Sequence, residues 1–244
     1  MSTGTIEVGV SHGRDPHTAV EDALDQLSED PNLALVFFSP RHADEIEAAL
    51  EQLPDECHSL GCSTAGELTP DGYTQGEVVV ALVRSPYLAL ETHRITFESN
   101  DPRSAREAGR DFVLGAIEKL RDPGPCLDIT FNAMLRSLRA GRPTRVLPYF
   151  MIELVDGLFP AIDYYVDGIN EVIHRFNFLE VYGGAAGDDL RLERTYTLEN
   201  GELCPEHSAV VVFGGHRTED RRLLGLRVRP RARGPVPHHR GRAE

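Results

Sequence analysis

Two stretches decide how this chain is read: CSTAGELTPDGYTQGEVVVALV at residues 62–83 and GGAAGDDLRLERTYTLENGELCPEHSAVVVF at residues 183–213. In each, a strand-like lead-in (residues 58–61; residues 180–182) runs into small residues, then Ala-Gly and an acid. Ala65-Gly66-Glu67 answers Ala186-Gly187-Asp188 at an offset of 121 residues. A tyrosine follows each (Tyr73; Tyr196), then a glycine turn (Gly76; Gly201) and a valine-rich strand. Self-similarity at a fixed spacing is the mark of a repeated structural unit.

Outward from these stretches, prolines punctuate the helix starts. Asp15-Pro16, Ser39-Pro40 and Asp101-Pro102 each place a capping side chain before a proline suited to the first helical position. Apolar residues at helical spacing follow each: Val20, Ala23, Leu24 and Leu27; Ala43, Ile46, Leu50 and Leu53; Ala105, Ala108, Phe112, Ala116 and Leu120. A fourth helix is expected after Asp167, with Ile169, Val172, Ile173 and Phe176 on one side. Between the helices lie β-rich runs at 6–10, 33–38, 78–83, 88–95 and 209–213, several apolar on consecutive residues, which suits strands covered on both faces. The expected fold is α/β. Two α-β-α-β-β units, residues 14–97 and 101–216, are expected to form one body of mixed sheets flanked by helices over residues 1–216.

The chain has 244 residues, 41% hydrophobic and 26% charged, enough for a sizeable core without metal or disulfide staples. Its longest apolar run, residues 78–83, is far below the ~18 residues a membrane span needs. The N-terminus, MSTGTIEVGV, carries neither a basic region nor a long apolar one, and four cysteines at 57, 62, 126 and 204 form no C-x-x-C pair. A reduced, cytoplasmic protein without membrane insertion is expected. Net charge is −14, unevenly spread. Residues 217–244 hold nine Arg against three acids, so the preceding residues carry −20. A body that acidic repels nucleic acid over most of its surface, and no nucleic-acid role is expected.

The two small-residue turns are the strongest chemical candidates. Gly66 and Gly187 permit close approach of the backbone to a ligand. Cys62, Ser63, Thr64, Gly183 and Gly184 lie where strands end, a common ligand position in α/β proteins. Main-chain N–H groups there would hold an acidic group. Glu67, Asp188 and Asp189 would favour an amine or a metal. If the units pack symmetrically, both turns face one shared cleft. That division suits an amino-acid-like zwitterion better than a phosphate, which would meet three acids and no adjacent base. A metal-dependent hydrolase using Asp188 and Asp189 is the competing reading, although neither G-x-S-x-G nor a P-loop occurs. Cys57, His58 and Cys62 have near-metal spacing but no fourth ligand, which favours ordinary buried cysteines. His12 and His174 are open to two readings, haem ligands or ordinary polar positions, and each taken alone favours the latter.

With these motifs quoted, the chain resembles the N-terminal FIST domain family, from F-box and intracellular signal transduction, over about residues 6–216. The GCSTAGE and GGAAGDD signatures and their downstream hairpins carry the resemblance. It is weakest over 126–160, where Val155-Asp156-Gly157 answers the family's short strand and Asp-Gly. The resemblance implies a cytoplasmic, non-enzymatic sensory module that binds a small molecule such as an amino acid or related metabolite. It also implies a histidine kinase, chemoreceptor or cyclic-dinucleotide enzyme as partner. No cofactor is expected, with haem the alternative, since some family members sense nitric oxide through haem. The family's C-terminal FIST domain is not recognised here. Residues 217–244 read as a disordered or truncated basic tail that leaves the second unit without its closing strand. The resulting open edge would favour self-association.

Overall fold

Successive side chains of a strand point to opposite faces, and because the central strands are apolar on consecutive residues both of their faces need cover, which sets up the layers of the molecule. The computed structural model describes residues 5–69, 71–86, 88–121, 149–174 and 179–216. The first half runs β1 (Glu7–Gly13), α1 (Pro16–Leu24), β2 (Leu33–Phe38), α2 (Ala43–Leu50) and β3 (His58–Ser63), then β4 (Glu67–Thr69), β5 (Gly72–Thr74) and β6 (Val78–Arg84). The second half runs β7 (Leu88–Thr96), α3 (Pro102–Arg121), β8 (Tyr149–Val155), α4 (Ile162–Ile173) and β9 (Leu179–Ala185). It ends with β10 (Thr197–Glu199), β11 (Glu202–Leu203) and β12 (Ser208–His216).

One sheet has the order β1-β6-β2-β3-β10-β11, the other β7-β12-β8-β9, and β4–β5 form a two-stranded sheet of their own. Within each large sheet one pair is parallel, β2 with β3 and β8 with β9, and each is bridged by a helix. The α/β fold expected from the sequence is therefore observed. The strand sets β1-β6-β2-β3 and β7-β12-β8-β9 also share one connectivity and one set of strand directions. Their hairpins differ: β10–β11 extends the first sheet through β3, whereas β4–β5 stands apart.

Three cores lie between four layers. Ala34, Val36 and Phe38 of β2 face α1 and α2, where they meet Val20, Ala23 and Ile46. Met151 and Val155 of β8 face α3 and α4, against Val113, Tyr165 and Ile169. The opposite faces pack on each other: Leu33, Leu60 and Cys62 of the first sheet meet Leu154, Val210 and Val212 of the second. The order is helix, sheet, sheet, helix.

Several expectations are corrected. β7, read from sequence as the end of the first unit, pairs with β12 in the second sheet. The fourth helix begins at Ile162, ahead of Asp167, because Tyr165 already occupies its buried stripe. Ser39-Pro40 opens a short 3-10 turn before α2, and Ser39 makes no capping bond. β12 is paired on both sides up to Gly215, and with β7 up to His216, so the expected open edge does not lie there. The tail at 217–244 and nearly all of the irregular segment at 132–150 lie outside the described residues. At the outer edge of β1, the Gln26 side chain copies a strand: its amide accepts the Val10 N–H at 3.2 Å and donates to the Val10 carbonyl at 2.9 Å. Among the described residues, no helix is long and apolar enough to cross a membrane.

Candidate functional site

Each parallel strand pair delivers the chain into a small-residue turn, and the two turns are bonded to each other. The Gly187 N–H donates to the Ser63 carbonyl at 2.8 Å and the Asp189 N–H to the Thr64 carbonyl at 3.3 Å. The Ser63 hydroxyl donates to the Gly187 carbonyl at 2.7 Å and accepts the Tyr196 N–H at 2.8 Å. A Cβ on Gly187 would stand 2.8 Å from the Ala65 nitrogen and 3.0 Å from the Thr64 carbonyl carbon. Only glycine lets the backbones approach this closely.

Buried acids need partners, and all three acids of the site have them. Glu67, 2% exposed, accepts the Thr64 hydroxyl at 2.6 Å and the Glu77 N–H at 3.4 Å. Asp188, 4% exposed, accepts the N–H groups of Glu193 at 2.6 Å and Arg194 at 3.2 Å, drawing the loop after it into a ring. Burial pushes the Asp188 carboxyl up, but the main-chain N–H groups around it outweigh that, and it stays below the usual carboxylate range. Asp189, half-buried, accepts the Ser39 hydroxyl at 2.8 Å.

The geometry thus gathers Ser63, Thr64, Gly66, Glu67, Gly187, Asp188 and Asp189. It leaves three expected residues out. Cys62 is buried between the sheets, its thiol pushed up to about 12 by burial. Gly183 lies inside β9, where a Cβ would meet the Glu153 carbonyl at 2.0 Å. Gly184 is exposed on the same strand, with open space around it.

Other members escaped the sequence reading. Ser39 follows β2, and Asp156 follows β8 at the matching place. The Asp156 carboxylate accepts the N–H groups of Leu158 at 2.9 Å and His207 at 2.6 Å and the Thr195 hydroxyl. A polar residue at the carboxyl end of a parallel strand was the available signal. Tyr73 of β5 lies on the first turn: its hydroxyl donates to the Ala65 carbonyl at 3.4 Å, and a Cβ on Gly66 would stand 2.3 Å from the Tyr73 hydroxyl oxygen. Among the described residues, no acceptor is bonded to the N–H groups of Ala65, Gly66 or Asp188.

Asp188 and Asp189 turn to different partners, and among the described residues no three His, Cys, Asp or Glu side chains converge as metal ligands. His12 engages both ring nitrogens with carboxylates, and His174 is exposed at the end of α4. Cys57 is buried, its thiol pushed up to about 12 by burial and by the Asp30 charge.

A family model described as the FIST N domain matches residues 32–221. No curated protein matches the chain.

Proposed function

The chain belongs to the FIST N domain family, sensory domains of signal transduction, and from that premise we propose that it binds a small zwitterionic metabolite, an amino acid or a close relative, at the joint of the two turns. One observation carries the reading. Among the described residues the interlocked turns leave the N–H groups of Ala65, Gly66 and Asp188 without acceptors, and the half-buried Asp189 follows directly in the second turn. Unpaired main-chain donors take a carboxylate well, and Asp189 is the acid best placed for an amine, since Glu67 and Asp188 are buried whereas Asp189 is half-buried and accepts a single hydroxyl, that of Ser39. Occupancy would then be passed to a signalling partner such as a histidine kinase, chemoreceptor or cyclic-dinucleotide enzyme.

Calorimetry of the purified chain against the common amino acids, with inorganic phosphate and Mg²⁺ as controls, tests the site. Asp189→Asn should weaken amino-acid binding about tenfold, the loss of one charge-assisted hydrogen bond. Gly187→Val should abolish it by forcing the turns apart. Glu67→Gln and Asp188→Asn should act mainly through stability. Equal binding by parent, Asp189→Asn and Gly187→Val would place the pocket elsewhere.

A further inference from the structure

The β4–β5 hairpin pairs with neither large sheet and is rooted at its start by the buried Glu67. Leu68 and Tyr73 on it are 82% and 62% exposed. Tyr73 nevertheless lies across the turn at residues 64–66. The residue before β5, Asp71, sits 3.3 Å from the Nε2 of His12 at the end of β1, while the Nδ1 of His12 sits 2.9 Å from Glu77 just before β6. One imidazole therefore joins the main sheet to the hairpin.

We infer that the β4–β5 hairpin is a lid over the first turn and that His12 is its proton-operated latch. The inference rests on the ligand site proposed above, whose entrance the lid would govern. The chemistry is one of counting donors. An imidazolium donates from both nitrogens and serves Glu77 and Asp71 together; a neutral imidazole has one N–H and turns a lone pair toward the other carboxylate. Glu77 is the more sheltered partner, with 18% of its side chain exposed against 83% for Asp71, so Asp71 is the contact given up. The groups around the latch all favour the charged ring or leave it alone. Glu67 reaches the Glu77 N–H, while Arg41 and His42 are occupied at Gly76, Arg41 by packing and His42 by bonding its carbonyl at 3.1 Å. The Glu77 hydrogen bond chiefly, with help from Asp71, holds the His12 pKa above its usual value. The latch is thus closed below that raised value and released as pH rises through it.

Amide hydrogen exchange on the full chain, followed by NMR from pH 5.5 to 9 and corrected for intrinsic exchange, reads the lid without any ligand. Protection of the β4 and β5 ladder should fall about twofold to fivefold as pH rises, the range expected for a largely exposed ion pair. Val80 and Val211 in the sheet cores should hold steady. His12→Leu and Asp71→Ala should show the low-protection state at every pH. A flat profile in the parent, a pH step that survives in His12→Leu, or equal changes at Val80 and Val211 would each overturn the latch. Calorimetry separately decides the ligand site, so either idea can fail without the other.

Discussion

Glu153 places a carboxyl where the helix-side face of β8 otherwise carries Met151 and Val155. It is 5% exposed, with the Tyr165 hydroxyl donating to it. Burial pushes its pKa up to about 7, against the pull of that hydrogen bond. A folded-state pKa above the unfolded one means that the native state holds the extra proton, so stability is lost as pH rises from about 4.5 to about 7. Urea unfolding across pH 4.5–8 should show this decline in the parent, and Glu153→Gln should flatten it, gaining as much as roughly 3 kcal/mol at pH 8. The exposed leucines after Asp188 offer a second test. Leu190 and Leu192 have φ of 63° and 58° and exposures of 80% and 76%. A left-handed leucine costs roughly 1–2 kcal/mol, so Leu190→Gly should raise the melting temperature, by up to about 1 kcal/mol of stability once glycine's own entropy is deducted. A lower melting temperature would show that the side chain packs after all. The sequence announced Glu67 and Asp188 as chemically interesting but could not show them already satisfied. Their neighbourhood depends on contacts such as Ser39 with Asp189, which span most of the chain and leave no local pattern.

At the scale of elements, local chemistry was legible where it stayed local. Asp15 caps α1 by accepting the Thr18 N–H at 3.0 Å, and Asp101 caps α3 through the Ser104 N–H at 2.8 Å, as the Asp-Pro pairs foretold. Ser39 broke the pattern because its hydroxyl serves Asp189 instead. Asn200-Gly201, with φ of 48° and 82°, makes the tight turn between β10 and β11 that its residue types favour. Less visible was the crossing of α3 and α4, where a Cβ on Gly109 would meet the Tyr165 carbonyl at 2.2 Å and one on Gly168 the Arg106 carbonyl at 2.0 Å. Gly168→Ala must spread the two helices and should cost about 2–3 kcal/mol in denaturant unfolding. Gly184→Ala, with open space around it, should leave stability nearly unchanged.

At the scale of the whole molecule, the two sheets share the core formed by Leu33, Leu60, Cys62, Leu154, Val210 and Val212, so each serves as the other's cover on that face. Leu60→Ala, at a fully buried site, should cost about 2–5 kcal/mol. Probes on both sheets should still report one coincident transition; separate transitions would show that the halves fold independently. The misplacement of β7 from sequence has a local cause. It is an edge strand whose described residues are half-buried or exposed, so its pattern does not name a sheet, and Leu88–Thr96 follows β6 so closely that adjacency suggested a partner it does not have.

Strand β10 has a consequence for how the protein is made. Thr197–Glu199 belongs to the first sheet, paired to β3, although every other strand of that sheet except its hairpin partner β11 is complete by Arg84. A ribosome adding about 5–20 residues per second delivers β3 well before the strand that covers it. During that interval the nascent chain carries a bare sheet edge at His58–Ser63. Translation that stalls before residue 197 would leave that edge open, a substrate for holdase chaperones until the last strands emerge.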